Sequence, residues 1–75
     1  MNALPSVMLC LLPPAQEHDL SSNLAELLID IVVCDARAGR DIRPLVARNL
    51  LHPNGMPTDL GEQVTDELLS YVYRR

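Results

Sequence analysis

The chain contains no lysine, no phenylalanine and no tryptophan. Without Phe and Trp, the core must be built from Leu, Val, Ile, Met and Ala. Such residues pack well into helices but supply no large aromatic anchor. Without lysine, all six cations are arginine. Codon bias in a GC-rich genome accounts for that simply; the alternative is selection for the planar arginine fork, which binds carboxylate and phosphate bidentately. Glycine is scarce, and Gly39, Gly55 and Gly61 are scattered, which excludes a phosphate-cradling loop. The apolar run Val7 to Leu12 is too short to cross a membrane. It has no basic segment before it, and Pro13-Pro14 follows at once, so it does not read as a secretory signal. The expectation is a core element of a cytoplasmic protein.

Cysteine is limited to Cys10 and Cys34, each inside an apolar run. Both read as small buried hydrophobes. A single disulfide would have no supporting framework. His18 and His52 are isolated from each other and from the cysteines, so no metal-ligand spacing is present. Neither histidine has an acid or nucleophile at a diagnostic distance, and Ser21-Ser22 lacks the glycines of a nucleophile elbow. No catalytic, metal or cofactor residue is assigned, and a chain of 75 residues is small for a sheltered pocket. We expect no enzyme and no cofactor.

One small domain, residues 1–75, fits this length, and such a domain is marginal alone. A homodimer or a partner protein is therefore expected to cover part of the apolar surface. The net charge of −4 disfavours non-specific nucleic-acid binding, which needs a basic field to displace counterions. A local arginine patch still leaves DNA open.

The periodicity describes an all-α domain of three to four helices with a minimal β-turn. Residues 4–12 suit a short helix, with Pro5 in its first turn, or a short buried strand; periodicity does not decide at this length, and helix is preferred. Pro13-Pro14 ends it, and residues 15–20 read as a polar loop. Ser21 or Ser22 caps a helix running to about Ala38. Its apolar stripe is Leu24, Leu27, Leu28, Ile31 and Val32, widened by Ile29 and Val33. Gly39 is the expected terminator. Asp41 is placed to cap the next helix, with Pro44 in the first turn and the stripe Ile42, Leu45, Val46, Asn49, Leu50. Pro53 stops it. Asn54-Gly55 signals a tight hairpin whose flanks pair over a residue or two. Thr58 caps the last helix, Asp59 to about Tyr73, with Asp59 and Glu62 favouring its dipole. Leu60, Val64, Leu68, Tyr71 and Val72 mark its buried face.

Two charge patterns stand out. Asp35, Arg37, Arg40, Asp41, Arg43 and Arg48 alternate in sign. They form either a salt-bridged junction or a recognition patch for phosphates or carboxylates. Asp59, Glu62 and Asp66 recur at helical spacing on one face of the last helix, and that face suits a basic groove on a partner. Solubility is the simpler reading of those acids. Tyr73 with Arg74 and Arg75 could form a further exposed contact.

Residues 43–71 resemble the back half of a winged-helix domain. A helix ends in Arg48-Asn49-Leu50-Leu51, a turn carries Asn54-Gly55, and Pro57-Thr58-Asp59-Leu60-Gly61 opens the next helix. Asn49 stands where the family usually has glycine, which Asn tolerates. Thr58 and Gly61 match the later phrase. The wing is nearly absent and the front half lacks a two-helix lead-in. The resemblance implies that Arg43, Arg48 and Arg40 lie on or near a recognition helix.

The leading expectation is a small regulatory protein that binds another protein, of the type encoded by phages or mobile elements to inhibit or adapt a host factor. Its partner-binding residues are Arg40, Arg43, Arg48, Asp59, Glu62 and Asp66. The alternative is a winged-helix-like transcriptional regulator, dimeric on DNA. No membrane partner is expected.

Overall fold

The computed structural model describes residues 6–72. Expectations for Leu4, Pro5, Tyr73, Arg74 and Arg75 fall outside them. A 3₁₀ helix, Ser6–Leu11, comes first. Four α-helices follow: α1 (Pro13–Glu17), α2 (Ser22–Cys34), α3 (Arg43–Ala47) and α4 (Asp59–Val72). Among the described residues the fold is all-α, relieved by one isolated antiparallel bridge between Leu51 and Pro57.

The segment before Pro13 is helical rather than extended, and Leu9 is its buried contribution to the core. The double proline ends that helix but also starts another. Neither proline needs to donate in a first turn, and the fixed φ suits the N1 position. Residues 15–20 are therefore not a polar loop. Ala15 is fully buried inside α1, and Leu20 is 4 % exposed just beyond it.

Ser21 caps α2, its Oγ accepting the Leu24 amide at 3.2 Å. Beside it, the Ser22 Oγ accepts the Cys10 amide at 3.1 Å, tying the 3₁₀ helix to the start of α2. Leu27, Leu28 and Ile31 are buried as the stripe requires. Val33, expected to widen the apolar face, is 59 % exposed, and Cys34 is exposed rather than buried. Both point away because α2 is covered by the 3₁₀ helix and α4 over only part of its circumference. The helix ends at Cys34, not Ala38. Asp35 turns left-handed at φ +56°, and its amide and that of Ala36 reach back to the carbonyls of Ile31 and Asp30. Gly39, the expected terminator, serves a later turn at φ +74°.

The third helix is shorter than its stripe suggests. It begins at Arg43, with Ile42 rather than Asp41 at the cap position, although the Asp41 carboxylate still accepts the Arg43 amide at 3.2 Å. It stops at Ala47, before Pro53 is reached, because Asn49 turns left-handed at φ +63°. Leu45 and Leu50 are fully buried, and exposed Asn49 takes the turn.

Asp19, Asp35 and Asn49 share this left-handed geometry, each just past the end of α1, α2 or α3. Short Asx side chains tolerate that region better than other non-glycine residues.

The hairpin differs in one detail from a two-residue turn. The His52 carbonyl accepts the Gly55 amide at 2.8 Å and the Met56 carbonyl accepts the His52 amide at 2.7 Å. Pro53-Asn54-Gly55 is thus a three-residue loop closed by a left-handed glycine, a common hairpin form. Gly55, at φ +92°, lies under the stem of Arg37, so a Cβ there would meet Arg37 Cδ at 2.7 Å.

Thr58 caps α4 as expected: its hydroxyl accepts the Gly61 amide at 2.9 Å and donates to the Asn49 carbonyl at 2.6 Å. Val64 and Leu68 are fully buried, joined by Gly61 and Thr65. The buried Thr65 hydroxyl donates to the Gly61 carbonyl at 2.8 Å, so it is satisfied. Tyr71 sits at the margin of this face, 37 % exposed. The radius of gyration is 11.4 Å, close to the ~11 Å expected of a packed chain of this length.

Candidate partner interface

The four described arginines sit in or beside the α2–α3 junction and α3. Each is paired with an aspartate. Arg37 donates to Asp35, Arg40 lies 3.9 Å from Asp30, Arg43 is 2.9 Å from Asp41, and Arg48 is 3.4 Å from Asp19. The alternating signs in sequence thus close on themselves in space, with Asp30 and Asp19 recruited from elsewhere.

These pairs are not equivalent. Arg43 makes a bidentate contact with Asp41 through Nε and Nη2, at 2.9 and 3.1 Å, while its side chain stays 88 % exposed. The hydrogen bonds from Arg43 hold the Asp41 carboxyl below its usual range, and Asp41 in turn raises the Arg43 guanidinium. Arg48 is an internal brace. Its guanidinium donates to the carbonyls of Pro44 at 2.9 Å and Asp19 at 3.1 Å, clamping the end of α3 to the α1–α2 turn.

The acids of α4 are arranged differently. Thr58 starts the helix, and the buried side of Gly61, Val64, Thr65 and Leu68 fixes its rotation. Asp59, Glu62 and Asp66 are consequently exposed. No ion pair among the described residues reaches them. Every charged side chain of α4 (Asp59, Glu62, Asp66 and Glu67) is acidic. The sequence-predicted set therefore splits in two. Arg40, Arg43 and Arg48 lie on the arginine side with their charge already paired, whereas Asp59, Glu62 and Asp66 present theirs to solvent.

Two open grooves flank α4. One, of about 550 Å³, runs between α3 and the start of α4 and is lined by residues including Val46, His52, Asp59 and Leu60. The other, of about 590 Å³, lies between α1 and the end of α4, lined by Pro13, Pro14, Glu17, Glu67, Ser70 and Tyr71. Sequence reasoning missed the second because it read α1 as a loop. The signal was present in Pro13-Pro14, which opens a helix as readily as it closes one.

No family model matches the chain, and no curated protein or solved structure is significantly similar to it. Among the described residues no helix is long and apolar enough to cross a membrane.

Proposed function

We propose that this chain is a small non-enzymatic regulatory protein that acts in the cytoplasm by binding another protein, with the acidic face of α4 docking on a basic surface. One observation carries the reading. The described arginines are paired within the fold, while Asp59, Glu62 and Asp66 are exposed and lack a described cation. Charge at an interface steers encounter and fixes specificity when it is not already neutralised internally. An inhibitor or adaptor of a host factor, carried by a phage or mobile element, is the specific form of this reading and suits the chain's size and acidity. It requires no cofactor.

The test is capture of a partner from host lysate, with nuclease treatment, by the wild-type chain and by the triple variant Asp59→Lys, Glu62→Lys, Asp66→Lys. Loss of one stoichiometric protein from a folded variant supports the reading. Equal capture by both removes α4 as the interface.

A second reading, DNA binding of winged-helix type, draws on Arg43, which is 88 % exposed at the start of α3. Of the other two arginines that the resemblance places there, Arg48 braces the fold instead, and Arg40 faces Asp30. This reading predicts salt-sensitive binding to duplex DNA that Arg43→Ala abolishes. A flat titration at low salt removes it. Self-association is compatible with either reading, and sedimentation over a concentration series measures it.

A further inference from the structure

We infer that the groove between α1 and the end of α4 is a pocket for a single basic side chain, an arginine or lysine, presented by the protein partner. The inference rests on the protein-binding reading above but concerns different residues.

The lining has the chemistry of a cation site. Glu17 at the end of α1 and Glu67 on α4 supply two carboxylates. Tyr71 supplies an aromatic ring, 37 % exposed, against which a cation is attracted. Pro13 and Pro14 supply apolar walls for an aliphatic stem. The groove is open, and its volume of about 590 Å³ leaves ample room for one long side chain.

Electrostatics reinforce the choice of occupant. No ion pair among the described residues involves Glu17 or Glu67. Glu67 receives only a 3.4 Å hydrogen bond from the Gln63 amide. The groove also lies toward the end of α4, which carries no basic residue among its described positions. An anionic or purely apolar occupant would leave two carboxylates facing the wrong chemistry. A basic side chain satisfies them and the ring together. Glu67 of the groove follows Asp66 in α4, so a basic partner segment lying along that helix can reach both.

The test uses the full chain and two short peptides, Ac-Ala-Arg-Ala-NH2 and its citrulline counterpart, which keeps the shape and loses the charge. Backbone and tyrosine-ring NMR resonances are followed during titration. The expected result is movement at Ser70 and Tyr71 with the arginine peptide, and at least about tenfold weaker binding of citrulline. Glu17→Gln with Glu67→Gln should weaken the arginine peptide at least about tenfold. Tyr71→Ala should do likewise, and Tyr71→Phe should retain binding. Equal binding of both peptides overturns the inference, as does an unaffected double glutamine variant. Shifts confined to Asp59, Glu62 and Asp66 overturn the groove while leaving the α4 face intact. Groove binding that survives when charge reversal at those three residues no longer affects partner capture does the reverse. Binding seen only after Arg74 and Arg75 are changed to serine would make the chain's own end the occupant and overturn a partner side chain.

Discussion

Gly61→Ala should unfold this protein more readily, against the usual trend for helices. In an exposed helix interior, Gly to Ala gains about 1 kcal/mol. Gly61 lies in the first turns of α4, where a Cβ would meet the Leu50 carbonyl oxygen at 2.0 Å and its carbon at 3.0 Å. Ordinary contact begins near 3.4 Å, so α4 must retreat by more than about 1 Å. The obstacle is backbone and cannot rotate aside. It is held there by the Thr58 amide, which donates to the same oxygen at 3.2 Å. A retreat would also lift Val64 and Leu68, both fully buried, from the core. Overpacking of this kind costs about 1–3 kcal/mol, occasionally more. With the lost packing included, we expect a net loss of about 2–4 kcal/mol. Total stability for this length is roughly 4–11 kcal/mol. The midpoint should then fall by at least about 10 °C. Thermal and urea denaturation followed by circular dichroism measures it. Gly39→Ala is the control, because a Cβ there meets nothing within 4 Å and only the left-handed φ of +74° is strained; it should lose about 1–2 kcal/mol. A Gly61→Ala protein as stable as wild type would refute the close approach of α4 to Leu50.

Arg48→Ala should lose about 1–3 kcal/mol of stability, through the carbonyls of Pro44 and Asp19 left without their charged donor; urea denaturation at fixed pH checks this, and an unchanged midpoint would return Arg48 to the list of free recognition residues. Asn49→Gly should stabilise by no more than about 1 kcal/mol and Asn49→Ala should destabilise by about 1–2 kcal/mol, since only the left-handed φ of +63° is at issue; matched effects of the two changes would contradict that geometry. Asp66→Arg should raise thermal stability by a few tenths of a kcal/mol, as it turns the repulsive i, i+4 pair with Glu62 into an attractive one, yet it should weaken partner capture in the lysate assay. A variant that lost both together would point to misfolding instead.

The parts of this fold that were legible in sequence are those set by local chemistry. Ser21 and Thr58 cap α2 and α4 because a hydroxyl at that position satisfies an otherwise orphaned amide. The stripe of Leu27, Leu28 and Ile31 and the pair Val64 and Leu68 follow helical spacing into the core. Helix ends were less legible. A glycine was sought after α2, whereas Asp35 does the turning, and an aspartate after an apolar stripe is ambiguous between a surface residue and a left-handed stop. The double proline before Ala15 carries a similar ambiguity. Charge alternation around Arg37 to Arg48 was visible, but the choice of partners was not. Asp19 and Arg48 are twenty-nine positions apart and meet only once α3 is folded against the α1–α2 turn.

That allocation of charge bears on function more than the presence of charge does. An exposed pair such as Arg43 with Asp41 contributes little stability, so such pairs do not explain why this region is arginine-rich. They do offset part of the local positive charge that a phosphate backbone would need. On α4 the opposite holds. Glu62 and Asp66 repel at helical spacing, although Asp59 and Glu62 are favoured by the dipole in the first turn. That repulsion lowers stability slightly, and an arginine or lysine at position 66 would reverse it. Acidic residues on that face also serve solubility, whereas opposite charges at helical spacing would stabilise the helix. Asp66 is therefore slightly worse for the isolated domain than an arginine there, and the proposed docking on a basic surface is what would favour it. Opposite movement of stability and capture in Asp66→Arg is the signature that separates a binding face from a merely solvated one.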